Sequence, residues 1–244
     1  MEVLAIGNSF SRDGTRYLHG IAKADGKMIN VVGLAIGGCS LALHYKHFMA
    51  DDPLYELWIN GEYTSFFVTM KEALLNREWD VITIQEATFS AYDYENYQPF
   101  LNELVALFKK YCPKAKIAIH ETWMPVSDNA KLKAHNFKDS FDMYNAIHAA
   151  YAQAIAEVKP DVVIPSAPTV CRLLAEGFER FHDVDGHHAS LGEGRYALGL
   201  VWYKALTGHS VTGNTFRDVD VDVSEENVAY LQRIVDDVID LSKN

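Results

Sequence analysis

Basic residues are scarce in this chain. Lys and Arg number 22 against 33 Asp and Glu, a formal charge of −11 over 244 residues. No local stripe of Lys and Arg offsets that average, and this opposes nucleic-acid binding, which needs a basic face to displace counterions. Cysteines are few and odd in number, Cys39, Cys112 and Cys171, with no CxxC spacing. Neither a disulfide framework nor a zinc knuckle is indicated, and reduced, mostly buried thiols are expected. No apolar run approaches membrane-spanning length, so no membrane partner is expected. The chain opens directly on a strand without a basic segment and cleavage site, which points to a cytoplasmic protein or to a secreted one whose leader is absent from this sequence. Repeats, low-complexity tracts and linkers are also missing. With 49% hydrophobic and 23% charged residues, the chain reads as one domain over residues 1–244.

What is present is organised around the first apolar run, Glu2-Val3-Leu4-Ala5-Ile6, and the turn Gly7-Asn8-Ser9-Phe10-Ser11 that ends it. A short apolar run, a Gly-Asn-Ser break and an amphipathic stretch read as a buried strand, a tight turn and a helix. Ser9 then stands at the strand's carboxyl end, where ligands collect in an open α/β sheet. A hydroxyl there is a nucleophile, a phosphate ligand or simply a helix cap. Further strands are read at 28–34, 81–84, 116–120 and 162–164, with an irregular or edge strand at 215–223. Between 41 and 67 the density of rings, Tyr45, Phe48, Tyr55, Trp58, Tyr63, Phe66 and Phe67, reads as a satellite hydrophobic cluster.

Helical patterns separate the apolar runs. Thr69 and Glu72 make a capping box, as do Ser190 and Glu193 ahead of a helix that runs to Gly208, and Ser224 caps a last helix to about residue 241. Alternation of this kind predicts an α/β fold, a three-layer α/β/α, flavodoxin-like arrangement with a parallel sheet of about five strands.

The stretch Phe181-His182-Asp183-Val184-Asp185-Gly186-His187-His188 supplies the rest of a reactive constellation. A serine attacks an ester when a base takes its proton and a carboxylate holds that base's tautomer. Asp185 and His188, three residues apart around a glycine, suit those two roles, and His187 reads as a neighbour facing away. Backbone N–H groups of Ser9 and Gly38, at the ends of the first two strands, can meet a developing oxyanion. Gln85, at the end of the third, can add a side-chain amide. Two other classes stay open. His182, Asp183, Asp185, His187 and His188 form a metal-ligand-rich loop that suits a metal-dependent hydrolase. Asn8, Ser9 and Ser11 at a helix N-terminus suit a non-catalytic phosphate-binding module.

The set GNSFS, IGGCS, IQEA and DGHHxSLGxGRY resembles the SGNH, or GDSL-type, hydrolases, and within them a bacterial GNSFS-type subset of largely uncharacterised function. The resemblance runs from Gly7 to Tyr196. It implies catalytic Ser9, His188 and Asp185, oxyanion donors at Ser9, Gly38 and Gln85, and no cofactor or metal. It departs from the family at the third block, where GxND is usual and Gln85-Glu86-Ala87-Thr88 stands here; Gln85 is the natural substitute for the missing Asn. Losing one oxyanion donor costs on the order of 100-fold in rate. The implied activity is removal of a small acyl group, acetyl above all, from a carbohydrate or similar polar alcohol. Trp58, Tyr92 and Trp123 are the expected sugar-stacking rings. A lipase is disfavoured, since no long apolar lid is evident.

Overall fold

The computed structural model describes residues 1–241. The central strand β1 (Glu2–Gly7) is apolar without interruption because both of its faces are covered; Val3, Leu4, Ala5 and Ile6 have no exposed surface. It is flanked by β2 (Asn30–Ala35) on one side and β5 (Val81–Ile84) on the other, followed by β6 (Lys116–His120) and β7 (Val162–Ile164), all parallel. These are the five strands expected from the sequence.

The sheet nevertheless has seven strands, in the order β4-β3-β2-β1-β5-β6-β7. The two extra strands, β3 (Tyr55–Ile59) and β4 (Glu62–Val68), form an antiparallel hairpin on the β2 edge. They come from the segment expected to be a satellite aromatic cluster. Asn60 and Gly61 connect them with φ of 51° and 85°, the doubly left-handed backbone of a type I′ hairpin. The edge strand β4 leaves Phe66 and Phe67 exposed, so its alternation is weak and the strand escapes a periodicity reading. The stretch 215–223, expected to be an edge strand, contains none.

Helices cover both faces. On one lie α1 (Ser9–Thr15), α2 (Leu18–Ala24), α9 (Glu193–Thr207) and α10 (Glu225–Leu241), with α8 (Ser166–Ala175) against α10. On the other lie α3 (Leu41–Ala50), α4 (Met70–Asn76), α5 (Phe100–Tyr111) and α7 (Ser140–Val158), while the short α6 (Ala130–Ala134) sits in the loop after β6. The capping box of Thr69 and Glu72 forms as expected. That of Ser190 and Glu193 does not. Ser190 Oγ accepts the N–H of Gly194 at 2.9 Å, but Glu193 turns to Asn227 of α10, and Gly192 is the residue that precedes the helix.

Taken alone, the parallel strands have the order 2-1-3-4-5 of a flavodoxin-like sheet. The chain reverses its winding between β1 and β5, and in sheets of this kind ligands bind outside the carboxyl ends of the strands at that reversal. Ser9 and Gln85 flank that switch point. Among the described residues no helix is long and apolar enough to cross a membrane.

Candidate active site

β1 ends at Gly7, and Asn8, in extended backbone, caps α1 by accepting the N–H of Phe10 at 3.0 Å. Ser9 is therefore the first helical residue, and its N–H is one of the unpaired donors of a helix start. Its Oγ lies 2.8 Å from His188 Nε2. On the far side of the ring, His188 Nδ1 is 2.5 Å from Asp185 Oδ2.

The loop carrying these partners is closed on itself. Asp183 N–H donates to the His188 carbonyl, Gly186 N–H donates to the Asp183 carbonyl, and His182 bridges Ala189. Gly186 has φ of +64°, and a Cβ there would stand 2.6 Å from Val126 Cγ2, so both backbone and packing call for glycine. Asp185 Oδ1 also accepts the N–H groups of His187 and His188, each at 2.9 Å. Partial burial pushes the Asp185 carboxyl up, but the His188 ring and these two N–H groups outweigh it and hold the group well below the usual carboxylate range. The carboxylate is thus charged and aimed at Nδ1, which places the ring proton on Nδ1 and a lone pair on Nε2 toward the serine.

On the opposite side, Ile36 to Cys39 form a tight turn closed by Cys39 N–H on the Ile36 carbonyl at 3.1 Å, with Gly38 at φ +64°. The backbone N–H groups of Ser9 and Gly38 have no hydrogen-bond acceptor among the described residues. Gln85 is buried behind Asn8, and its Nε2 lies 2.7 Å from Asn8 Oδ1. One amide hydrogen remains beyond that bond.

The expected aromatic residues fall in three different places. Trp123 is fully buried. Its ring stacks on Phe10 at 3.8 Å with a 3° interplanar angle, and its Nε1 donates to the His187 carbonyl at 3.0 Å. It lies beneath the site as a support for the histidine loop and offers no face to a sugar, because the loop after β6 folds inward over α1. Tyr92 is half-buried at the end of a row of rings: Tyr92 contacts His135, His135 stacks on Phe89, and Phe89 stacks on His187. Trp58 sits on β3, half-buried, with the Arg12 guanidinium 5.2 Å from its ring centre and bonded to Glu56. Arg12 follows Ser9 by nearly one helical turn, so Trp58 reaches the site's rim only through it.

His187 contributes its ring to that row, pressed between Phe10 and Phe89. Burial, with the nearby His188 and Lys131, pushes its imidazole down to about 4. The other loop ligands do not converge on a common point. His182 donates to the Met124 carbonyl, Asp185 is committed to His188, and among the described residues no group of three or more His, Cys, Asp or Glu is placed to hold a metal ion.

Two residues absent from the sequence expectation complete the scaffold. Asp13, one turn beyond Ser9 on α1, accepts the Ala189 N–H at 3.0 Å and pairs with Arg195 of α9 at 3.0 Å. Burial pushes its carboxyl up to about 6 against the pull of Arg195 and the Ala189 N–H. Asn129 donates to the Asp185 carbonyl at 3.0 Å. The i, i+4 spacing of Ser9 and Asp13 puts both on one helix face and was the available signal for Asp13.

The site's parts can therefore do the work of a base-activated hydroxyl beside paired N–H donors. No curated protein matches the chain. Among solved structures, a DUF4886 family protein from Bacteroides uniformis superposes with a TM-score of 0.90 at 28% identity, covering all of this chain and 96% of its own. A candidate SGNH hydrolase from Slackia heliotrinireducens superposes at 0.62 with 22% identity, over 84% of this chain and 98% of that one. A catalytic mutant of an acetylxylan esterase from Geobacillus stearothermophilus superposes at 0.51 with 12% identity, over 84% and 91%. These last two likenesses concern the fold, which is that of the SGNH and GDSL-like hydrolases. The sequence profile of a family described as a domain of unknown function, DUF4886, matches residues 2–233, and the chain belongs to that family.

Proposed function

We propose that the protein is a serine esterase that removes a small acyl group, acetyl in the simplest case, from a carbohydrate or similar polar alcohol. The observation that carries this reading is the continuous contact from Ser9 Oγ through His188 to Asp185, at 2.8 and 2.5 Å. A phosphate-binding module has no use for it.

In this reading His188 Nε2 takes the proton of Ser9 as Oγ attacks the ester carbonyl. Asp185 keeps Nδ1 protonated and stabilises the imidazolium that forms. The oxyanion lies against the N–H groups of Ser9 and Gly38, with the second Nε2 hydrogen of Gln85 as the third donor. The tetrahedral intermediate collapses, the alcohol leaves with the proton from His188, and water repeats the sequence on the acyl-enzyme. The row Phe89, His135 and Tyr92 begins at His187, so the leaving alcohol is placed against it, with Trp58 and Arg12 bounding the opposite rim. The acetylxylan esterase among the structural neighbours supports the acyl and alcohol classes only through a shared fold.

Release of p-nitrophenol from its acetate ester near neutral pH tests the reading. Turnover lost in both Ser9→Ala and His188→Ala and indifferent to chelator supports it. Turnover that survives Ser9→Ala and dies with chelator transfers the chemistry to the metal-ligand-rich loop 182–188.

A further inference from the structure

The carboxyl edge of the sheet carries a single file of buried hydrogen bonds that the triad does not use. Ser166 Oγ lies 2.9 Å from His120 Nε2. His120 Nδ1 lies 2.7 Å from Gln85 Oε1, Gln85 Nε2 is 2.7 Å from Asn8 Oδ1, and Asn8 Nδ2 is 3.1 Å from the Cys39 carbonyl. Cys39 follows β2, Asn8 follows β1, Gln85 follows β5, His120 ends β6 and Ser166 follows β7. The file thus touches the end of every parallel strand, and all five residues are buried.

Its direction is determined at one end. Asn8 Oδ1 already accepts the Phe10 N–H, so that atom is the oxygen and the Asn8 amine donates to Cys39. The Gln85 atom facing Asn8 is then the amine, which turns Gln85 Oε1 toward His120. His120 accordingly carries its proton on Nδ1 and accepts from Ser166 at Nε2. Burial pushes the imidazole down to about 3 and keeps it neutral. No member can flip without leaving two acceptors or two donors face to face, and such a mismatch in a buried place is costly.

We propose that His120 is a positioning residue that, through Gln85, holds Asn8 and, through the Cys39 carbonyl, the Gly37–Gly38 turn, so that the Ser9 and Gly38 N–H groups stay aimed where the oxyanion forms. This rests on the esterase reading above. Fixed dipoles accelerate acyl transfer because they need not reorganise as charge appears. Asn8 is the one side chain that caps the Ser9 helix and grips the Gly38 turn at once. Its orientation is set from His120, on the far side of β5. Apolar side chains would fill the same space with less desolvation, so the polar file contributes geometry rather than packing.

The test uses the full chain with p-nitrophenyl acetate, active sites being counted by stoichiometric labelling of Ser9 with a fluorophosphonate. His120→Leu severs the file. His120→Asn keeps a donor near Nδ1. For His120→Leu we expect kcat per labelled site to fall ~10- to 100-fold, up to the loss of one oxyanion donor. KM and the midpoints of the pH profile stay unchanged, because the triad is untouched, and His120→Asn recovers most of the rate. An unchanged kcat per labelled site in His120→Leu overturns the proposal, as does a change confined to KM. Should His120→Leu not fold, long-range proton–nitrogen spectra of histidine-labelled wild type decide: a proton on His120 Nδ1 at neutral pH supports the file, and one on Nε2 overturns it. That spectrum is independent of turnover, so an inactive wild type sinks the esterase reading while the file is still judged.

Discussion

Asp13 Oδ2 accepts the backbone N–H of Ala189 at 3.0 Å, so the helix that begins with Ser9 also holds the residue that follows His188. Nucleophile and base are registered to each other by one buried carboxylate, itself paired with Arg195. Asp13→Ala leaves Arg195 without that partner in a half-buried place, and is expected to cost ~3–5 kcal/mol. The pH dependence follows from its carboxyl being raised to about 6. The unfolded chain ionises this group near 4, so the stability it contributes is full below that pH and is lost as pH rises through about 6. Urea midpoints measured from pH 4 to 8 should show this falling limb in wild type and not in Asp13→Asn; superimposable profiles would refute the assignment.

Glu121, just past β6, has a buried Oε2 without a hydrogen-bond partner, and burial pushes its carboxyl up to about 8. The sign is the same, with stability lost as pH rises from the ordinary carboxylate range through about 8. Glu121→Gln removes the ionisation while keeping the shape. At pH 9 it should stabilise the protein by up to about 5 kcal/mol, the order set by 1.4 kcal/mol per pKa unit over the rise to about 8, and at pH 4 by little. Melting curves at the two pH values check this, and equal shifts at both would contradict it.

For the proposed triad, Ser9→Ala and His188→Ala are each expected to lower kcat by about 10⁶-fold and Asp185→Asn by about 10⁴-fold, and the Ser9→Ala/His188→Ala pair by no more than the worse single change, because the residues act as a unit. Multiplicative losses in the double variant would show that the two side chains do not share a step.

Gly186 combines φ of +64° with a space closed by Val126. Gly186→Ala should destabilise by ~1–3 kcal/mol through backbone strain and overlap and lower esterase turnover, since Asp185 and His188 flank the turn. Adding Val126→Ala relieves the overlap and leaves the strain. Partial recovery of the melting temperature in the double variant is the expected result, and no recovery would exclude the Val126 contact as a cause.

Trp123 and Tyr92, both expected to stack a sugar, should separate cleanly. Trp123→Phe keeps most of the stack on Phe10 and leaves the His187 carbonyl without its donor, a loss of ~1–3 kcal/mol read in the melting temperature. Tyr92→Phe, which keeps the ring packing and loses only the hydroxyl contact with His135, should cost about 1 kcal/mol or less, and Tyr92→Ala should raise KM for acetylated sugars while sparing p-nitrophenyl acetate. The reverse pattern would place the alcohol against Trp123 instead.

Much of the scaffold is legible in local pattern. β1, β5, β6 and β7 are short apolar runs broken by turn residues, and a strand covered on both faces can hardly look otherwise. The hairpin of β3 and β4 was missed because its outer strand buries no residue and exposes the adjacent Phe66 and Phe67, so no period-2 alternation is visible. Asn60-Gly61 was the readable signal, a pair suited to two successive left-handed residues. Trp123, expected to stack a sugar, is buried instead, because a ring in a loop gives no sign of which way the loop folds.

By itself the sequence determined the strand–turn–helix at Ser9 and the Asp185-to-His188 spacing, since each depends on neighbours a few residues away. It also determined the flavodoxin-like class, through the alternation of strands and helices. Only the tertiary structure decided that Asp13 would hold Ala189, that Gln85 would face Asn8 on one side and His120 on the other, and that Trp123 would lie under Phe10. Those contacts join segments from 35 to 176 residues apart. Hydrogen-bond direction and burial at such distances are properties of the packed sheet edge, where five strand ends meet, and no single segment carries them.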